Sequence, residues 1–395
     1  MIEFLPVIIL ILSFVILLIL GVPVAWSIAI SSLLTLMVAM PFSAATTTIS
    51  QRIATGLDSF ALLAIPFFIL SGQIMSRGGI ANRLISFAKT LVGFLPGGLA
   101  LINIVSAMLM GSIAGSAMAS ASAMGTILGP EMEKEGYSKE FGAAVNITSS
   151  TTGLIIPPSN TLIVYSLASG GVSISALFLA GYIPGILTGL LMMIVAMIWA
   201  KKNNYPVGKR SSIKEVAVKF INALPSLLLL IIVIGGIIAG IFTATEASAV
   251  AVLYTILLSF YYKELSIKDL SKVVLESTKT TAIVMLLIGA SMGMSWVLSY
   301  ENIPQDISNS LLSLSDNKII ILLMINIILL AIGIFMDATP AVLIFTPIFL
   351  PIVTDLGMDP THFGIVMMLN LCIGLCTPPV GSVLFVGVEI AKTNI

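Results

Sequence analysis

Asp337 is the only ionisable residue set deep in an apolar segment, FMDATPAVLIFTPIFLPI (335–352). A carboxylate at such depth costs about 2.5–3.5 kcal/mol on insertion scales, so it marks a functional site by default. With Thr339 beside it, Asp337 reads as a cation ligand; a structural hydrogen-bonding role is the alternative. Two other stretches offer backbone instead of side chains. TGLIIPPSNTLIVY (152–165) and GLCTPPVGSVLFV (374–386) each break at a Pro-Pro pair. Proline brings no N–H and keeps the preceding residue out of a helix. Lipid cannot satisfy the carbonyls this frees, so broken backbone survives only where it lines a cavity or coordinates something. Such carbonyls suit a hard cation such as Na⁺, and the half-helix N-termini suit an anion. A third stretch, GSIAGSAMASASAMGTILGPEM (111–132), sets the hydroxyls of Ser112, Ser116, Ser120 and Ser122 around a tip that Gly111 and Gly115 allow. The same small residues, spaced GxxxG, equally form a close-packing helix face.

The elements that must position these groups follow from composition. The 395 residues are 58% hydrophobic and only 9% charged, against about 25% charged in soluble domains. Such a chain cannot clothe a water-facing surface, and the lipid bilayer is its solvent. Charge-free runs extend over 4–51, 90–130, 141–200 and 280–300. Spans are expected at 4–20, 22–40, 57–76, 141–167, 176–200, 222–242, 246–262, 280–298 and 363–390. The fold class is an all-α polytopic membrane protein. A soluble enzyme, a nucleic-acid binder (net charge zero) and a disulfide scaffold are excluded. No HExxH, no second membrane carboxylate and no membrane histidine argue against an intramembrane hydrolase. No repeated pore-lining filter suggests a channel. Cys372 and Cys376 lie one turn apart and read as small packing residues. Asp58 and Glu246 open spans as dipole-compensating caps, with Ser59 or Thr245 sharing the capping. His362 reads as a surface or cap residue. The N-terminus lacks a basic n-region and reads as a retained first span.

The regions 94–130 and 319–352 hold roughly 35 residues each, too long for one helix and too short for two full spans of about 20. Both read as re-entrant hairpins. Segment 201–219 carries Lys201, Lys202, Lys209, Arg210, Lys214 and Lys219 against Glu215 alone, so it faces the cytoplasm. Counting outward places 16 of 18 basic residues inside, with Arg52 and Lys318 outside and the N-terminus periplasmic. Eight acids fall outside, among them Asp316, Asp355 and Asp359. At an offset of 221 the chain echoes itself: Pro130 with Pro351, Gly136 with Gly357, Gly153 with Gly374, and Pro157-Pro158 with Pro378-Pro379. Five spans separate the hairpins, so the second copy is inverted. Inverted repeats with matching broken helices point to a secondary transporter's midplane site. No chain of Asp, Glu or His crosses the membrane, which favours Na⁺ over H⁺. The stretches 81–92 and 303–315 read either as amphipathic helices at the interface or as ordinary loop surface.

GLDSFALLAIPFFILSGQIM (56–75), GSIAGSAMASASAMG (111–125), IFTATEASAVA (241–251), FMDATPAVLIFTPIFLPI (335–352) and CTPPVGSVLFV (376–386) together resemble the large membrane subunit of tripartite ATP-independent periplasmic (TRAP) transporters, in order along the whole chain. The resemblance implies a non-enzymatic, Na⁺-driven elevator in the bacterial inner membrane. It would import an organic acid anion such as a C4-dicarboxylate or sialic acid. It implies a soluble periplasmic substrate-binding protein and a small four-helix membrane subunit as partners. Carried over, one Na⁺ site joins Gly115 and Ser116 to the break at Thr151 and Gly153. The other joins Met336, Asp337 and Thr339 to Gly374, Cys376 and Thr377. Substrate would sit near Ser120, Pro158, Asn160 and Pro379. The chain would divide into scaffold helices and arm (1–93), first transport half (94–167), scaffold with second arm (168–318) and second transport half (319–395). Family members usually carry one more span, so the resemblance implies a record cut at Ile395. A stand-alone cation-coupled anion symporter of related inverted-hairpin design is the alternative.

Overall fold

A computed structural model of the protein describes residues 5–315 and 317–394, and the side chains of all of these except 112–114. Ser112 and Asp316, both named above, fall outside that description. Among the described residues the secondary structure is helical, apart from one isolated bridge between Pro96 and Val207. Seven helical stretches among the described residues are long and apolar enough to cross a membrane.

The first half comprises α1 (Leu5–Ile19), α2 (Val24–Ala39), α3 (Phe42–Gly56), a 3-10 turn (Phe60–Leu63), α4 (Ala64–Arg77), α5 (Ile80–Val92), α6 (Gly98–Ala114) and α7 (Ala117–Lys134). It closes with α8 (Lys139–Ser150), a second 3-10 turn (Thr151–Leu154) and α9 (Asn160–Ala168). The long α10 (Ile174–Lys202) then leads to α11 (Ile213–Ile238), α12 (Ala244–Tyr261), α13 (Ile267–Tyr300) and α14 (Ile303–Leu314). The chain ends in α15 (Lys318–Phe335), α16 (Ala338–Asp355), α17 (Pro360–Leu375) and α18 (Ser382–Ala391).

The 221-residue offset runs deeper than the matched Gly and Pro. Shifted by 221, α7 lands on α16 end to end. By the same shift α2 falls on α12, α5 on α14, α6 on α15, and α8 with α9 on α17 with α18.

Three sequence expectations change. Residues 42–56, left as an outer connection, form α3, which packs on α2 and α13. The loop expected at 263–279 is helical from Ile267: α13 runs 34 residues, about 51 Å at 1.5 Å per residue. Its charged first turns extend past the hydrocarbon, so a helix satisfies the same charge pattern as a loop. Each hairpin arm has 17 or 18 residues, or about 26–27 Å, nearly the ~30 Å hydrocarbon core. Two arms fit where two full spans seemed too long. Either way the chain returns to the side it left, so the charge count is unaffected.

The segments 81–92 and 303–315 are helices. α5 buries Ile80, Ala81, Leu84, Ile85 and Ala88 and packs on α6 and α11; α14 packs on α13 and α16. Capping differs in detail from expectation. Glu246 forms a capping box with Thr243, whereas Thr245 donates to the Phe60 carbonyl at 2.9 Å and so ties α12 to the first 3-10 turn. Ser59 makes no side-chain cap. His362 is exposed in the first turn of α17, its N–H donating to the Asp359 cap at 3.2 Å.

The core is shared between the halves. α18 packs on α7 and α8, and α9 packs on α16. Tyr165 of α9 is fully buried, donates its hydroxyl to the Pro360 carbonyl at 2.5 Å, and lies against Gly364, where a Cβ would come within 2.5 Å of the ring. Burying an aromatic ring of that size and pairing its hydroxyl locks α9 to the start of α17.

Candidate functional site

The first hairpin turns at Gly115 and Ser116. Gly115 has φ +60°, a left-handed conformation that glycine adopts without a steric cost, and its N–H donates to the Gly111 carbonyl at 2.8 Å. Ser116 then caps α7, its hydroxyl oxygen accepting from the Ala119 N–H at 3.3 Å. Behind the tip, Gly111 meets Gly153 of the 3-10 turn backbone to backbone; a Cβ on either would lie 2.5 Å from the other's Cα. Asn160, the first residue of α9, closes on Gly115, where an added Cβ would lie 3.0 Å from its amide nitrogen. The Asn160 side-chain oxygen is buried and accepts no hydrogen bond.

The second hairpin turns at Met336 and Asp337. Asp337 occupies the N-cap position of α16 but does not cap it with its side chain. Instead Ser382, the first residue of α18, donates its hydroxyl to Asp337 Oδ1 at 3.0 Å. Gly381 donates its N–H to the Ile334 carbonyl at 3.0 Å, stitching the break to the hairpin. Gly333 meets Gly374 as Gly111 meets Gly153, with a Cβ on Gly374 falling 2.4 Å from Gly333 backbone. Both tips are therefore held by the opening residues of the second half of their own broken helix.

One cavity of about 130 Å³ joins the two tips, lined by Gly115, Ser116, Asn160, Asp337 and Thr339 and walled by Ile65 and Ile69 of α4 and Thr280 of α13. It gathers the Asp337 carboxylate, the hydroxyl side chains of Ser116, Thr161, Thr280 and Thr339, and the amide of Asn160. These are hard oxygen donors, the type that alkali and alkaline-earth cations take. Among the described residues no group of three or more His, Cys, Asp or Glu could hold a metal ion, so a transition metal has no cage here. A second cavity, of about 430 Å³, shares Ser116, Ile69 and Thr280 with the first and runs along α7 past Ser120 and Ser122.

The other residues named from sequence lie off the tip cavity. Thr151 and Gly153 are buried in the 3-10 turn, and the Thr151 carbonyl accepts from the Cys372 thiol at 3.4 Å. The Gly374 carbonyl accepts from the Thr377 N–H at 2.9 Å, and the Thr377 hydroxyl donates to Ile373 at 2.7 Å. The Cys376 thiol points to the Ile147 carbonyl at 3.7 Å. Each carbonyl keeps a second lone pair. Met336 is half-buried behind the tip. Ser120 is buried beside the larger cavity, its hydroxyl 3.5 Å from the Ala107 carbonyl. Pro158 is buried and Pro379 exposed; neither lines the tip cavity. The glycine contacts were missed because GxxxG spacing names a close approach without naming its partner. The vacant Asn160 oxygen left no trace in the sequence.

Comparison with known proteins agrees with this architecture. The profile of "Tripartite ATP-independent periplasmic transporter, DctM component" matches residues 11–395. The uncharacterised protein YgiK of Salmonella typhimurium is 55% identical over 390 residues, covering 99% of this chain and 90% of that protein. The C4-dicarboxylate TRAP transporter large permease protein DctM of Pseudomonas aeruginosa is 42% identical over 330 residues, 83% of this chain and 77% of that one. The crystal structure of the Alcanivorax borkumensis YdaH transporter superposes with a TM-score of 0.61 over 88% of this chain and 80% of that one, at 14% identity, a likeness of fold alone.

Proposed function

Because the chain belongs to the DctM component family of the tripartite ATP-independent periplasmic transporters, we propose that it is the permease subunit of a sodium-coupled importer of an organic acid anion in the bacterial inner membrane. It would receive the anion from a soluble periplasmic binding protein and be braced by a small four-helix membrane subunit. Relatives named for C4-dicarboxylates, isethionate and sialic acid fit that substrate class, small organic acids of differing size. The reading is that of a carrier and not of an enzyme.

One observation carries it: both hairpin tips and the start of α9 surround a single cavity of hard oxygen donors between α4 and α13. Asp337, Thr339, Ser116 and the Asn160 oxygen would hold Na⁺, with the carbonyls of Thr151, Gly153, Gly374, Cys376 and Thr377 behind them. Bound there, Na⁺ would neutralise Asp337 and couple occupancy to its own gradient. Without the ion, Asp337 keeps only the Ser382 hydroxyl as a side-chain partner. A charged carboxylate with a single hydroxyl partner opposes the site's passage through apolar surroundings.

The elevator reading rests on packing. The glycine contacts bind each hairpin to its own broken helix without intervening side chains, and α18 on α7 with α9 on α16 joins the two units. That body packs on α4 through α6 and α9 and on α13 through α16, with the two cavities between the contacts. Sliding it along those helices would expose the tips alternately to either face, with α5 and α14 as flanking arms.

Uptake into proteoliposomes containing both membrane subunits tests the proposal. Accumulation of labelled succinate, isethionate or N-acetylneuraminate should require an inward Na⁺ gradient and the cognate receptor. Equal uptake without Na⁺ would remove the coupling, and equal uptake without receptor would favour a stand-alone symporter.

A further inference from the structure

We infer that Arg77 is the station at which the substrate's acid group pauses on leaving the tips, a station it shares with Glu276. The inference rests on the anion-importer reading and adds a specificity-determining residue to it. Arg77 ends α4, and its guanidinium donates to the Glu276 carboxylate of α13. Among the described residues it is also the only charged one lining the 430 Å³ cavity. That volume falls within the roughly 300–1,000 Å³ of small-molecule sites.

The cavity presents polar groups on two of its walls, among apolar ones. On one wall stand Gln73 and Arg77 of α4; on the other stand Ser116, Ser120, Ser122 and Thr126 of α7. Because Ser116 and Thr280 line this cavity and the tip cavity alike, an anion leaving the tips enters it directly. The nearby Arg83 is committed elsewhere, lying 3.5 Å above the Tyr262 ring and donating to the Gly79 carbonyl at 2.8 Å.

Glu276 makes the station reversible. The two side chains are 43% and 46% exposed, and ion pairs so open to water are held weakly. A carboxylate or sulfonate can therefore replace Glu276 on a guanidinium whose planar fork suits bidentate oxyanions. When the anion departs, Glu276 recloses the pair and leaves no bare cation to retain it.

The test uses the two membrane subunits in proteoliposomes, with Thr126→Cys providing a thiol in the cavity. Its maleimide labelling is read on that peptide by mass spectrometry. Succinate, isethionate and N-acetylneuraminate are the probes, and at least one should slow labelling. Arg77→Gln should raise the half-protecting concentration about tenfold or more, in line with the loss of a charged hydrogen bond. Arg77→Lys should fall between, and Glu276→Gln should lower it several-fold. If Arg77→Gln does not accumulate, Glu276→Gln decides. Protection by none of the three probes, protection unmoved by Arg77→Gln, or no gain in Glu276→Gln overturns the station. Na⁺-driven uptake in the same vesicles separates the readings: uptake with unmoved protection removes the station alone, whereas protection without uptake removes the importer and leaves the station.

Discussion

The two hairpin tips share one backbone design and differ in chemistry. At both, a glycine of the first arm lies against a glycine of the break, and the residue opening the second half-helix reaches the tip. The first tip carries a hydroxyl that caps its own helix, beside an amide oxygen with no partner. The second carries a carboxylate that leaves its own helix uncapped and is held by Ser382. Their surroundings differ as well. Gly181 and Gly185 bring α10 onto the Ile155 carbonyl and the Ile156 side chain at the first break, which is buried from Thr151 to Ser159. Pro378, Pro379 and Val380 of the second break are exposed. Duplication fixed the geometry, and divergence placed the only charge in one copy.

Removing that charge should give the largest effect. Asp337→Asn should lower Na⁺-driven uptake about 100-fold at unchanged expression, since losing a charged ligand costs up to about 3 kcal/mol. Ser116→Ala should cost about tenfold or less on the same scale. Equal losses in the two variants would erase the chemical asymmetry of the tips.

The shared backbone can be broken symmetrically. Gly153→Ala and Gly374→Ala each drive a Cβ within 2.5 Å of backbone and should destabilise by about 1–3 kcal/mol, the usual cost of overpacking. Gly235→Ala in α11 meets nothing within 4 Å and should stabilise slightly. Melting in detergent reads all three. A neutral result at one of the paired glycines would show that the halves are not equivalent.

Smaller effects sharpen the contrast. Ser382→Ala leaves Asp337 without its side-chain partner and should shift the Na⁺ concentration for half-maximal uptake several-fold, about 1 kcal/mol. Smallest is the cap at Asp359, whose carboxyl is held below the usual range by the N–H groups of His362 and Thr361. A lowered carboxyl contributes stability that is complete above its ordinary value and lost as pH falls through the lowered one. Asp359→Asn should flatten that acid limb of the melting curve and leave the neutral region little changed.

Much of this was legible because lipid permits few backbone solutions. Charge-free runs located the helices, Pro-Pro pairs located the breaks, and depth singled out Asp337. What escaped was tertiary. The charged turns of α13 read as a loop because charge marks the water phase and not the absence of helix. Arg77 drew no reading of its own, since sequence does not say that a cavity ends on it. Gly111 and Gly115 read either as a tight tip or as a helix–helix face; Gly115 does form the turn, whereas Gly111 packs on Gly153, 42 positions on. Asn160 entered through resemblance alone, as a substrate contact; that its oxygen accepts nothing is visible only once α6 and α9 are folded together.

The interleaving of the halves bears on how the protein is made. α7 and α9 each complete their packing against helices far downstream, α18 and α16. Until residues 338–391 have been synthesised, the helices up to α9 sit in the bilayer with two faces uncovered. One of those faces bears Asn146, whose amide already reaches the Ala121 carbonyl but whose side-chain oxygen accepts no bond. Insertion and assembly are thus separated in time, and the nascent first half needs shelter from non-native neighbours for as long as translation takes to deliver its complement.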